Sequence, residues 1–228
     1  MEKRTGFLLS YIKYGDNDAI LHCYTLESGF ISFFIKGIYS LKNKKKAFLT
    51  PLNELLITVS SYSSISNLIS VKKIETINVI NEQDINKNTV LFFVADFLNQ
   101  ILKNEQKNEA IYQEIKLLYL NIYQDNFNSH YIFLIKILLY LGINPLVTEE
   151  KYLNLEKGIF QNDIDSYTIE EDISKIWKDI LLGKITYDYK FTSIIKKKLL
   201  DIILQYYRYH FPEFYYPKSL SVICEIFE

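Results

Sequence analysis

The feature that most constrains the fold of this chain is a change in hydrophobic periodicity between residues 80 and 89. Before the change, short apolar runs rich in β-branched and aromatic residues alternate with hairpin-length links, a pattern typical of β-strands. The predicted strands cover residues 6–14, 19–26, 31–38, 52–60 and 68–77. Five short strands with such links predict a small closed barrel.

After the change, apolar residues recur at helical spacing. The predicted helices cover residues 89–102, 111–122, 129–141, 171–183 and 191–210. Gly142 is a stop signal for the third helix, and Thr168 and Glu171 have capping-box spacing for the fourth. Residues 143–167 read as an irregular insert with a short hairpin around 156–158. We therefore predict an α+β protein, with a five-stranded barrel at 1–80 and a helical bundle at 81–228.

Charge is distributed unevenly between these two parts. Residues 1–80 hold 10 Lys and Arg against 6 Asp and Glu, whereas residues 81–228 hold 16 against 21. The formal net charge of −1 hides this asymmetry. A positive excess in one part indicates that this part meets a polyanion.

The positive excess is concentrated in the loop "SLKNKKKAF", residues 40–48, which holds Lys42, Lys44, Lys45 and Lys46. Further cations of the predicted barrel are Lys13, Lys36, Lys72 and Lys73, and the nearby aromatic residues are Tyr11, Tyr14, Phe33, Phe34 and Tyr39. Cations beside aromatic faces are how small barrels hold single-stranded nucleic acid. The residues alone fit equally well a solvated lysine loop beside ordinary core aromatics.

The chemistry-bearing residues do not indicate catalysis. His22, His130 and His210 fall on three different elements, where structural roles are the expectation, and no nucleotide-binding or hydrolase motif occurs. Cys23 and Cys224 are too far apart in sequence to indicate a disulfide framework or a zinc site. We expect no cofactor, no signal peptide and no membrane span, and a reducing cytoplasm.

Three segments carry a family likeness. The opening "GFLLSYIKYGDNDAILHCYTLESGFISFFIKGI" resembles that of the RecO family of bacterial recombination and repair mediators. Its pattern here is Gly6, the Tyr14–Asp18 turn, Ile20-Leu21, Thr25, Gly29 and Lys36-Gly37. The segments "FLIKILLYLGINP" and "LLDIILQYYRYHFPEFYYPKSLSVICEIF" look like later helices of that family.

The resemblance implies an OB-fold barrel, a helical domain and no enzymatic turnover. RecO-like proteins bind single- and double-stranded DNA, anneal complementary strands and bind the acidic tail of single-strand binding protein. With RecR they help load RecA onto coated strands, so RecA is an indirect partner. A bacterial cytoplasmic, nucleoid-associated location follows. An adaptor whose barrel binds a protein instead of DNA is the alternative, and an unrecognised enzyme is a third reading.

Two site predictions follow. We expect Lys13, Lys36, Tyr39, Lys42, Lys44, Lys45, Lys46, Lys72 and Lys73 to contact DNA. Lys196, Lys197 and Arg208, beside apolar helix positions, suit an acidic, hydrophobic peptide end, although a lysine run on a helix also fits a solvated face.

The sequence departs from the family pattern in two places. Many members carry four zinc-binding cysteines after the "Leu-Gly" helix, and residues 143–165 here contain none, so we expect no zinc. Ile38, Tyr39 and Ser40 stand where arginines are common, and the positive charge has moved to residues 42–46.

Overall fold

A computed structural model describes residues 2–40, 43–62, 68–77 and 84–227. Five strands form a closed barrel in the order β1-β2-β3-β5-β4. They are β1 (Lys3–Tyr14), β2 (Asp18–Thr25), β3 (Gly29–Ile35), β4 (Glu54–Tyr62) and β5 (Ile69–Thr76). The predicted five-stranded barrel is therefore confirmed, and its closure leaves no strand edge unpaired along the ring.

Several strand boundaries differ from the prediction by one to three residues, and two of these differences have a clear local cause. β3 ends at Ile35 instead of residue 38, because the Asp18 carboxylate accepts a 2.7 Å hydrogen bond from Gly37 N and turns the chain. β4 begins at Glu54, since Pro51 and Leu52 form a turn in which Leu52 has a φ of 54°.

In the part of the chain that the structure describes, the α-helices after the barrel are α1 (Ile85–Ile101), α2 (Glu109–Tyr123), α3 (Ser129–Leu141), α4 (Glu171–Leu181), α5 (Ser193–His210) and α6 (Leu220–Phe227). α1 starts four residues before its predicted start because the Asp84 side chain accepts a bond from Lys87 N. Gly142 caps α3 with a φ of 69°, as predicted. The prediction that Thr168 caps α4 is wrong. The N-cap residue is Glu170, and the Thr168 hydroxyl donates a hydrogen bond to the Asp165 carboxylate instead.

The chain divides into two compact units, Met1–Tyr112 and Gln113–Glu228. The first unit holds the barrel together with α1, which packs on β1, where Ser10 Oγ donates to Asn99 Oδ1 at 2.8 Å. At the start of α2, the Tyr112 hydroxyl donates to the buried Glu54 carboxylate at 2.8 Å. The domain boundary at residue 80, drawn where the periodicity changes, stays a prediction.

In the second unit, a buried carboxylate joins three segments. Glu114 on α2 accepts bonds from Lys136 Nζ at 2.5 Å and from the Tyr140 hydroxyl at 2.9 Å, both on α3. It also accepts a bond from the Tyr187 hydroxyl, in the loop between α4 and α5. Burial and the Glu114 charge raise the pKa of Tyr140 to about 12. Such satisfied polar networks fix one arrangement of the surrounding helices.

The insert at 143–167 contains the predicted hairpin, formed by β6 (Tyr152–Asn154) and β7 (Ile159–Gln161). Asp165 ties it together, accepting bonds from Asn154 Nδ2 and from the Thr168 hydroxyl at 2.8–2.9 Å. The His210 ring on α5 bonds to the Leu155 carbonyl at 2.7 Å. The hairpin is thereby fixed by hydrogen bonds to its own loop and to α5.

Candidate nucleic-acid interface

An irregularity in β1 sets the geometry of the candidate interface. β1 has one extra residue, Leu9, in its register with β2. Beyond it, Tyr11 lies opposite Leu21 and Lys13 lies opposite Ala19, and both of those β2 residues belong to the barrel core. Paired residues share a face of the sheet, so Tyr11 and Lys13 point to the core side of β1, where both remain exposed.

Tyr39 brings two lysines together. Lys13 Nζ lies 5.9 Å and Lys46 Nζ 5.5 Å from the centroid of the Tyr39 ring, within the range of cation–π attraction. The ring is half-buried against the barrel core, and Tyr39 N donates to the Asn17 carbonyl at 2.9 Å. Burial, with a smaller contribution from Tyr11, raises the pKa of Tyr39. Three of the nine residues predicted to bind DNA therefore meet at one place.

The described part of the lysine loop, from Asn43 onward, contains a short 3₁₀ helix, Lys44–Phe48. The Asn43 side chain links this helix to the turn after β3: it accepts a hydrogen bond from Lys45 N at 2.9 Å and donates one to the Gly37 carbonyl at 3.0 Å. This helix exposes Lys46 and leaves Lys45 half-buried. Its lysines are consequently held on a fixed turn of backbone.

A second group of cations surrounds Glu75 on β5. Lys73 Nζ forms a 2.7 Å ion pair with Glu75 Oε1. The hydrogen bond from Lys73, and then the charges of Lys73, Lys3 and Lys45, lower the pKa of Glu75. Lys45 and Lys46 are neighbours in the 3₁₀ helix, so this helix supplies one lysine to each group: the Tyr39 group on the core side of β1 and the Glu75 group on the outer face of the barrel. We call Lys3, Lys13, Tyr39, Lys45, Lys46 and Lys73 the cationic strip.

The other predicted DNA contacts are more scattered. Lys36 is exposed in the turn after β3, Lys44 is exposed on the 3₁₀ helix, and Lys72 is exposed on β5. Lys42 lies outside the described residues. A role for these four lysines in DNA binding stays a prediction.

The structure also separates the aromatic candidates. Phe33 is fully buried in the barrel core, whereas Tyr14 packs edge-on against Phe34 at 5.8 Å on the other side of the strands. Tyr11, 43% exposed, is the aromatic residue that faces the strip. It was missed as a site residue because the sequence does not reveal the bulge that turns it.

Two further residues were missed, and each has a weak signal in the sequence. Lys3 precedes the first predicted strand but lies inside β1. Glu75 is the only acidic residue in the run "VKKIET", two positions after Lys73. That spacing puts both side chains on the same face of a strand.

The predicted peptide-binding residues lie along α5. Lys197 and Arg208 are exposed and share a face, but eleven residues separate them by roughly 16 Å along the axis. Lys196 is half-buried, and its charge acts on His130, whose pKa burial lowers to about 4. Arg208 Nη1 donates to the Phe214 carbonyl at 2.9 Å. These residues do not converge on one carboxylate, and an extended peptide is needed to reach both ends.

The described part of the chain contains no group of three or more His, Cys, Asp or Glu side chains placed to hold a metal ion. Among the helices it describes, none is long and apolar enough to cross a membrane. The expectation of no zinc stays a prediction.

The architecture defines a class: proteins with an N-terminal OB-fold barrel followed by helices. Comparison with known proteins gives the family. The family model described as "Recombination protein O N terminal" matches residues 1–79, and "Recombination protein O C terminal" matches residues 82–150. The chain belongs to the RecO family.

Several curated proteins are similar over almost the whole chain. The DNA repair protein RecO of Flavobacterium johnsoniae is 29% identical over 240 residues, covering 99% of this chain and 98% of that protein. The protein of the same name from Flavobacterium psychrophilum is 29% identical over 237 residues, with the same coverage. That of Bacteroides fragilis is 26% identical over 243 residues and covers both chains fully.

Proposed function

We propose that this protein is a non-enzymatic DNA-binding protein of recombinational repair. It binds and anneals single-stranded DNA and, with RecR, helps load RecA onto strands coated by single-strand binding protein. The observation that carries the proposal is the convergence of Lys13 and Lys46 on Tyr39, at the side of an OB-fold barrel. The relatives named DNA repair protein RecO support the repair role.

The chemistry of the strip suits a nucleic-acid strand. Its ammonium groups bind phosphate, and the exposed Tyr11 ring offers a face on which a base can stack. Lys3 and Lys13 are ten residues apart on β1, so the two ends of the cationic residue set lie up to roughly 30 Å apart along that strand. That length accommodates several nucleotides of the roughly 4–16 that one OB fold covers.

The proposal that the protein is not an enzyme is supported by the hydrogen bonds of the three histidine rings. His22 Nδ1 bonds to the Ser32 hydroxyl at 2.8 Å, and the buried His130 bonds to the Phe127 carbonyl at 2.5 Å. His210 fixes the hairpin through Leu155. Each ring thus has a structural contact on a different element.

The proposed partners divide between the two units. Single- and double-stranded DNA bind the cationic strip, and the acidic tail of single-strand binding protein lies along α5 between Lys197 and Arg208. The Asp201 carboxylate, exposed between them, repels an acidic peptide, so we expect that contact to be weak. RecR is a direct partner, RecA an indirect one, and the site of action is the bacterial nucleoid in the cytoplasm.

Strand annealing tests the proposal directly. Complementary oligonucleotides coated with the cognate single-strand binding protein are mixed with the wild type or with the triple variant K13A/K45A/K46A. A matched control, K103A/K107A/K175A, removes three exposed lysines outside the strip. Wild type and control should accelerate annealing, and the strip variant should not.

DNA binding gives a second measurement on the same proteins. With five lysines in contact, log affinity should fall against log salt with a slope of about −3.5 on a single strand. The strip variant should bind more weakly and with a slope smaller by about 2. If the wild type neither binds DNA nor accelerates annealing, the proposal is wrong, and the adaptor reading replaces it.

A further inference from the structure

Glu75 lies on the outer face of the barrel in a setting that matches a bound phosphate. Across β1, β4 and β5, the register aligns Lys3, Thr58 and Lys73 in one row. Glu75 follows two residues after Lys73, so its side chain points to the same face. Neighbouring strands are about 4.8 Å apart, which puts the Lys3 and Lys73 backbones about 10 Å from each other.

The contacts of Glu75 are those of an anion held by cations. Its carboxylate accepts the 2.7 Å bond from Lys73 Nζ, and the side chains of both residues remain about half exposed. Lys45 approaches from the 3₁₀ helix, which packs on β5. One ammonium group thus pairs with a solvent-accessible carboxylate, and the charges of Lys3 and Lys45 act on it from neighbouring elements. The carboxylate shares with phosphate a negative charge and paired oxygen acceptors.

We infer that the Glu75 carboxylate occupies the place of a DNA phosphate on the cationic strip and lowers DNA affinity until a strand displaces it. Exposed ion pairs of this kind are weak and are screened by salt, so a polyanion displaces the carboxylate readily. In the free protein, Glu75 pairs with Lys73, and when DNA dissociates this ion pair forms again and favours release of the strand. The inference rests on the proposed DNA-binding function.

The substitution Glu75→Gln tests it, because it keeps the shape of the side chain and removes its charge. Binding of a fluorescein-labelled oligothymidylate is followed by fluorescence anisotropy over a range of salt concentrations. E75Q should bind about two- to fivefold more tightly at low salt. Its salt slope should steepen by up to about 0.7, because the displaced Glu75 carboxylate of the wild type takes up a salt cation and offsets part of the counterion release at Lys73.

Two variants make the test specific. Glu109→Gln removes the same charge from an exposed position in the first turn of α2 and should leave affinity unchanged. In the K73A background, the gain from E75Q should shrink, because the lysine that Glu75 occupies is gone. Circular dichroism of each variant establishes that the fold is retained.

The outcomes separate the inference from the function it rests on. Equal gains for E75Q and E109Q reflect net charge alone and overturn the inference, as does unchanged or weaker binding by E75Q. In those cases, loss of binding by K13A/K45A/K46A still supports the DNA-binding function. If the wild type does not bind the oligonucleotide at low salt, both fail.

Discussion

Gly29, at the start of β3, packs closely against the backbone of residues 105–106, which follow α1, and a substitution there tests whether this close packing stabilises the barrel. Gly29 has a φ of 72°, and an ideal Cβ there would lie 2.4 Å from the Gln106 carbonyl carbon and 2.5 Å from the Glu105 carbonyl oxygen. These backbone atoms are fixed in turn. Phe30 N donates to the Glu105 carbonyl at 3.0 Å, and the Tyr24 hydroxyl donates to the Gln106 carbonyl at 3.1 Å.

Gly29→Ala should therefore incur two separate costs. A left-handed backbone costs an L-residue roughly 1–2 kcal/mol. Forcing a methyl group against fixed backbone costs about 1–3 kcal/mol more. Gly15→Ala is the matched control in the same barrel: its φ is 59°, but its Cβ would have nothing within 4 Å. The control should lose only the roughly 1–2 kcal/mol of unfolding free energy that the left-handed backbone costs.

Urea unfolding followed by circular dichroism measures both variants. G29A should lose at least about 1 kcal/mol more free energy of unfolding than G15A. Hydrogen exchange supplies a local readout, since the Phe30 amide that bonds to Glu105 should exchange faster in G29A alone. Equal losses of free energy in the two variants, with unchanged exchange at Phe30, would refute the claim that Gly29 is needed for close packing on residues 105–106.

Two further predictions concern buried groups of the second unit. Glu114→Gln should lower the free energy of unfolding in urea by about 2–4 kcal/mol, because it removes the counter-ion of Lys136. Tyr140→Phe loses one hydrogen bond and should lower it by about 1 kcal/mol. Similar losses in the two variants would contradict a role for the Glu114 charge. Burial holds the folded pKa of His130 at about 4, against 6.5 for an ordinary histidine, so between these values the unfolded chain binds the extra proton. The stability that neutral His130 contributes is thus complete above about pH 6.5 and declines as the pH falls toward 4. In His130→Phe the melting temperature should decline less steeply over that window, and an identical pH profile would show that His130 does not cause the decline.

Much of the fold follows from local signals in the sequence. Among the described residues, the strand and helix periods predicted every barrel strand and each helix from α1 to α5, because side-chain periodicity reflects which face is buried. Gly142 could be placed as a helix end because only the left-handed region suits that turn. The Thr168 capping box failed because the hairpin recruits the same hydroxyl to Asp165, a contact the motif does not encode.

The candidate site was less predictable than the fold. The sequence indicated which part of the chain is cationic, and it supplied Lys13, Tyr39 and Lys46 as candidates. It did not show that these three meet, since their contacts join a strand end to a loop more than twenty residues away. Nor did it single out Glu75, whose setting arises only when β1 and β5 flank β4 in the ring.

The sequence by itself determined the barrel, the helices, the asymmetry of charge and the family likeness, since each of these depends on residue types and their spacing along the chain. The tertiary structure decided which side chains face the strip. One extra residue at Leu9 exchanges the two faces of β1 for the residues that follow it. Tyr11 and Lys13 consequently lie on the core side, whereas regular alternation from Leu8 would have put them on the outer face. Side chains on a strand alternate with a period of two, so a single unpaired residue exchanges the faces of all that follow.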